Sequence, residues 1–182
     1  MKVTRKVLLE TNEIRAGDQI EVQLRSFGGF TATAQKVTDK GILFLFDEII
    51  DRHRMNEFDT DEGGFDGSDM KKWLNEVVLR AFPEKLRNKV IEITLPTYGE
   101  IFGHDDFYRN FESDKDEQLE TMKRRENRVC DFENVWDDWR LRNATKESVS
   151  SAFFAGVTGN GNPTYHSASN SVGVRPEFWM VR

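Results

Sequence analysis

The chain has 182 residues and a mass of 21.2 kDa, the size of one domain with its own core. Its 32 acidic residues outnumber 26 basic ones, for a net charge of −6 and a pI near 5.2, which argues against a nucleic-acid binder, since those display a basic face. Aromatics make up 12% of the chain, with 14 Phe and 4 Trp, so an aromatic core is expected rather than wholesale disorder.

No apolar run nears the roughly 20 residues that cross a bilayer, so no membrane partner is expected. The start, from Met1 to Glu10, offers only Val7-Leu8-Leu9 where a secretory leader needs about 7–15 apolar residues. A cytoplasmic location is therefore expected, with a virion as the alternative. Cys130 stands alone, which excludes an intramolecular disulfide and a cysteine-based zinc site.

In chain order, Ile20, Val22 and Leu24 alternate with Glu21, Gln23 and Arg25, the period of a half-buried strand. Gly28-Gly29 breaks it, and Phe30 to Val37 runs extended. Asp39-Lys40-Gly41 then signals a turn into Ile42–Phe46, a run apolar on both faces that predicts a central strand. Asp51 to Asp69, acidic and glycine-rich, reads as a loop. Ser68 can cap a helix whose apolar positions are Met70, Trp73, Leu74, Val77 and Val78. Phe82-Pro83 ends that helix and can start a short one through Val90. Ile91–Leu95 alternates like a strand. Thr97-Tyr98-Gly99-Glu100 fits a capping box opening a helix through Phe102.

Residues 103–134 are charged, with one exposed helix expected near Asp114 to Arg125. Beyond them, Trp139 and Leu141 should face inward and Arg140 and Arg142 the other way. Ala152 to Val157 predicts a strand, Gly159 to Pro163 a turn, and Val172 to Val181 a closing pair of extended segments. Between Ser148 and Val174 there is no Asp, Glu, Lys or Arg, where the chain average predicts about nine.

Familiar catalytic templates fail. The chain has no H-E-x-x-H, G-x-S-x-G, Walker loop or dinucleotide fingerprint. His53, His104 and His166 are far apart and lack ligand spacing. The acidic stretch 59–69 matches an EF-hand at Asp59, Asp61 and Gly64 but puts Gly63 and Met70 at positions 5 and 12, so that template is rejected. No metal or cofactor is expected, although a looser calcium site in 59–69 stays open.

Three motifs carry a resemblance. Trp139-Arg140-Leu141-Arg142-Asn143, followed about thirty residues later by Gly173-Val174-Arg175-Pro176, resembles the W-W-L-R-S … G-V-R-P signature of an uncharacterised domain family in bacterial and phage proteins. Ser68–Asn75 resembles that family's S-x-L-R-x-W-L-N helix, and Ile93–Glu100 its strand-to-helix step. Arg140 and Asn143 depart from the pattern, as do Met70 and Lys71. The family is similar to C-type-lectin-like domains, including the formylglycine-generating branch. The resemblance implies an α+β, C-type-lectin-like mixed domain with small twisted antiparallel sheets and peripheral helices. The periodicity places a β-meander at about 17–50 and a helical middle at about 68–125 of one domain, 1–182, and the resemblance implies a lectin-like β segment at about 136–182. Oxidase chemistry of the catalytic branch needs paired cysteines, which Cys130 cannot supply. Trp73, Trp139, Arg142 and Arg175 are read as structural, with Arg175 expected to pair with a carboxylate at the sheet end.

Function is expected to be non-catalytic recognition of a protein or glycan. The charge-free segment supplies Ser, Asn and Tyr, the composition of paratopes. The expected face is one contiguous exposed patch of Asn160, Asn162, Tyr165 or His166, and Asn170, with Arg140 on its rim. The alternatives are a hydrolase using carboxylates at 131–138 with His166, or a phage or mobile-element structural subunit.

Overall fold

A computed structural model describes residues 13–182. The opening segment read for a leader lies outside them. β1 (Gln19–Leu24), β2 (Gly28–Thr38) and β3 (Gly41–Phe46) form an antiparallel meander. Val22 and Leu24 are buried while Glu21 and Gln23 face solvent, as period two demands. Every residue of β3 is buried. Ile42, Phe44 and Phe46 enter one core with Phe82 and Phe178, whereas Leu43 and Leu45 enter a second with Trp139 and Leu141. That division is why this strand is apolar on both faces.

The acidic stretch begins as a strand rather than a loop: β4 (Asp51–His53) pairs with a later strand because its backbone lies against the 172–174 edge. Ser68 caps the helix α1, residues 69–81, its Oγ accepting from the Lys71 amide at 3.1 Å. Leu74–Val78 forms a π turn within it. The wider i→i+5 turn rotates the stripe, so Met70, Leu74 and Val78 are buried and Val77 is exposed. Trp73 is half-buried between Phe27 and His53. The turn α2 (Glu84–Arg87) leads to β5 (Val90–Thr94). Both hydrogen bonds of the capping box form at α3 (Tyr98–Phe102).

The helix expected near Asp114 to Arg125 is absent. The chain instead makes 3₁₀ turns at Asp106–Asn110, Glu120–Lys123 and Arg125–Arg128. Local bonds explain this: the Tyr108 hydroxyl accepts from the Asp114 amide, and Asp114 Oδ1 accepts from the Asp116 amide, holding the backbone extended.

β6 (Asp131–Phe132) and β7 (Val135–Trp136) form a small separate hairpin. β8 (Trp139–Ala144), β9 (Phe153–Val157), β10 (Pro163–Ser167), β11 (Val172–Val174) and β12 (Glu177–Met180) complete the fold. The result is α+β: one sheet in the order β1-β2-β3-β12-β5 and a second in the order β10-β9-β8-β11-β4. The first is wholly antiparallel, whereas β11 runs parallel to β8 in the second.

The closing segments therefore fall in different sheets, and Arg175-Pro176 is the crossing. Arg175 Nε donates to the Phe46 carbonyl at 2.7 Å, and the Phe46 amide donates to the Pro176 carbonyl at 3.2 Å. Nη1 reaches the Asn127 carbonyl at 3.0 Å, and the guanidinium lies 5.0 Å from the Trp139 ring. The expected carboxylate partner is thus replaced by two carbonyls and an aromatic face, because the crossing brings Arg175 against the Phe46 carbonyl of β3 and the Asn127 carbonyl of the Arg125–Arg128 turn. Gly173 allows the crossing: a Cβ there would stand 2.6 Å from the Asp138 carbonyl and 2.7 Å from Ile49 Cδ1.

Candidate functional site

Several elements converge at the turn end of the second sheet. Glu133 and Asn134 have φ of 53° and 65°, so the β6–β7 turn has both central residues left-handed, the geometry that matches strand twist in a two-residue hairpin. The base closes through the Asp137 amide to the Cys130 carbonyl at 3.0 Å. Phe132 packs into the second core. Because the two-residue strands stand off the main sheet, both faces of β7 are wet, and Val135 and Trp136 are each 67% exposed.

The 158–162 turn leans on this hairpin. A Cβ at Gly159 would come within 3.2 Å of the Trp136 carbonyl carbon, and the Gly159 amide donates to Asp138 Oδ1 at 2.7 Å. The turn is internally tied by Thr158 N to Asn162 O at 2.8 Å, and by Asn162 N to Thr158 Oγ1 at 3.1 Å. Arg125 Nε donates to the Asn160 carbonyl at 2.7 Å. Trp136, Val135, Asn160, Asn162 and Arg125 thus share one exposed, well-tied end.

The other expected patch residues are placed elsewhere. Tyr165 is 41% exposed, but its ring stacks on Phe153 and Phe107 at centroid distances of 5.4 and 6.2 Å, on the second-core face. His166 points to the opposite face and is half-buried over Gly156. Asn170 is exposed beyond the far end of β10, and about 16 Å of strand separates it from the turn. One contiguous patch does not form.

Arg140 corrects the expectation outright. It faces away from Trp139, as alternation requires, but that face is covered too, and Arg140 is 0% exposed. Nη2 donates to the Ser167 and Asn170 carbonyls, each at 2.6 Å, pinning the loop after β10 from below. From above, Asp59 accepts from the Ser167 hydroxyl and from the Ser169 amide. Burial pushes the Arg140 guanidinium down to about 10, so it stays charged at neutral pH, and its Nε and Nη1 have no hydrogen-bond partner.

The carboxylates at 131–138 do not gather into one centre. Asp131 and Glu133 are exposed on the hairpin, and Asp137 bonds Arg52 at 2.6 Å. Asp138 Oδ2 lies 3.3 Å from His166 Nε2, without hydrogen-bond alignment. Burial lowers the His166 pKa, favouring neutral imidazole. Cys130 is buried, donates to the Asp47 carbonyl at 3.2 Å, and burial pushes its thiol up. Asp59 and Asp69 in the acidic stretch accept backbone amides, and no cluster of three or more metal-ligating side chains occurs among the described residues.

A polar cleft of about 300 Å³ between β1–β2 and the 121–129 segment is already self-satisfied. Asp47 accepts from Gln19 and Thr33, and Gln35 accepts from Thr121. Among the described residues, no helix is long and apolar enough to cross a membrane.

The fold and these placements define a mixed α+β domain knit by its W-x-L-R and G-V-R-P segments. The chain belongs to a family described as a domain of unknown function, DUF6273, whose model matches residues 40–181. That span takes in every strand of the second sheet and leaves β1 and β2 outside. No curated protein and no solved structure matches the chain.

Sequence reasoning missed Trp136 and Arg125. Trp136 is embedded in the acidic run 131–138, and the signal that marks it is Asn134 in a two-residue turn flanked by Phe132 and Val135.

Proposed function

We propose that the domain is a non-catalytic recognition module with a C-type-lectin-like arrangement, and that it binds a protein or glycan through the end formed by Trp136, Val135, Asn160, Asn162 and Arg125. The observation that carries the reading is Trp136, an amphipathic ring 67% exposed on a hairpin tied at its turn and base. Trp and Arg are the residues over-represented at binding hot spots, and a rigid aromatic loses little entropy on contact. Asn160 and Asn162 add adaptable donors and acceptors beside it. A virion or mobile-element subunit would use the same face, so that origin is part of this reading.

The intact domain should be probed on protein and glycan arrays beside a Trp136→Ala variant. Specific binding by the parent and its loss in the variant, at equal melting temperature, is the expected result. Binding that survives Trp136→Ala would move the face elsewhere, and an absence of hits in both ligand classes would sink the recognition reading.

The approach of His166 to Asp138 favours hydrolysis as a second reading. Asp138 already accepts from Gly159, however, and Asp137 is engaged by Arg52. Turnover of a glycoside or ester panel, lost in Asp138→Asn, would support it. Equal turnover in both proteins would remove Asp138 from any mechanism.

A further inference from the structure

Two carboxyl side chains meet in the interior where β12 passes α3. Glu177 opens β12 between Leu45 of β3 and Thr94 of β5, and is 2% exposed. Glu100 is the capping-box glutamate of α3 and is 3% exposed. Its Oε2 accepts from the Thr97 amide at 3.0 Å and its Oε1 from Lys36 Nζ at 3.0 Å.

Glu177 lies within hydrogen-bond reach of Glu100. Two ionised carboxylates offer only acceptors, so that contact requires a proton. Charge counting leads to the same place. Among the described residues, Lys36 from β2 and Arg142 from β8 are the cations facing the pair, and Arg142 is itself bonded by Asp116 at 3.3 Å. Counting Asp116 on Arg142, three carboxyl groups share these two cations among the described residues, while β3 and β5 set Leu45 and Thr94 beside Glu177. Its Oε2 is buried without a hydrogen-bond partner, a poor setting for an ionised group.

We infer that Glu177 stays protonated in the folded protein and donates that proton to Glu100, and that the shared proton is a pH-sensitive latch joining β12 to α3. Burial first, and the Glu100 charge second, raise the Glu177 pKa well above the ordinary carboxyl value. An unfolded glutamate releases its proton near 4.3. Between that pH and the raised folded value, the folded chain holds one more proton than the unfolded one, so this group's effect on stability turns unfavourable as pH rises.

The test is Glu177→Gln, which keeps the shape and one donor but cannot ionise. Melting temperatures should coincide near pH 4, and the variant should melt higher by about 3 °C or more at pH 8, with the gap opening steadily between. A gap that stays constant from pH 4 to pH 8, or a wild type that melts higher at pH 8, overturns the latch. Should the variant fail to fold, carboxyl-carbon NMR of the wild type decides: a protonated Glu177 resonance at pH 7 supports the inference, and an ionised one ends it.

Discussion

Arg140 and Asn160 were expected to share a binding patch, and they have opposite energetic characters. Arg140 supplies two charge-assisted hydrogen bonds to the carbonyls of the loop after β10, from a position no solvent reaches. Arg140→Ala should therefore cost about 2–4 kcal/mol in urea denaturation, from lost bonds and an emptied site. Asn160→Ala and Asn162→Ala, at exposed turn positions, should each stay within about 0.5 kcal/mol. A mild Arg140→Ala variant would show that solvent enters that site. Cys130 should stay inert to a thiol reagent until the chain unfolds, because the reactive thiolate is disfavoured by burial; rapid labelling of the native protein would contradict its placement.

Elements are fixed by contacts that differ in their tolerance. Gly173 sits where β11 runs parallel to β8, against the Asp138 carbonyl and Ile49. Gly173→Ala should cost about 1–3 kcal/mol, the range for overpacking, and lower the melting temperature by several degrees. An unchanged melting temperature would mean that β8 and β11 can separate without loss. At α3, Thr97→Ala removes one half of the capping box and should cost about 1 kcal/mol. That variant also loosens Glu100, so its deficit should differ between pH 4 and pH 8, as denaturation at the two values would show.

Across the whole molecule, two cores share β3, and the G-V-R-P crossing ties the sheets that bound them. The segment 120–128 lies on the outside of this frame, anchored by Met122 in the second core and by the Asn127 and Arg128 carbonyls, and made of 3₁₀ turns with Lys123, Arg124 and Arg125 exposed. Within 13–182, limited trypsin digestion should cut first at Lys123–Arg125, since these are exposed basic residues in short turns that open more easily than paired strands. First cleavage at Arg142 or Arg175 would instead place the weakest region inside the sheets.

The sequence by itself determined the local elements. Alternation gave β1, an apolar run gave β3, Ser68 and Thr97 gave helix starts, and glycine with proline gave the last turn. Each depends on neighbours a few residues apart, so each is legible in one dimension. Tertiary structure alone decided the rest. β4 became a strand because of a partner 119 residues away, in the pairing of His53 with Val172. Arg140 became interior because a loop from 167–170 covers its face, and alternation states only which side a residue takes, never whether that side is wet. The exposed end at Trp136 arises likewise, from a hairpin and a turn that the pairing of β8 with β9 sets side by side. Burial is a property of what packs on top, and that is set by the whole fold.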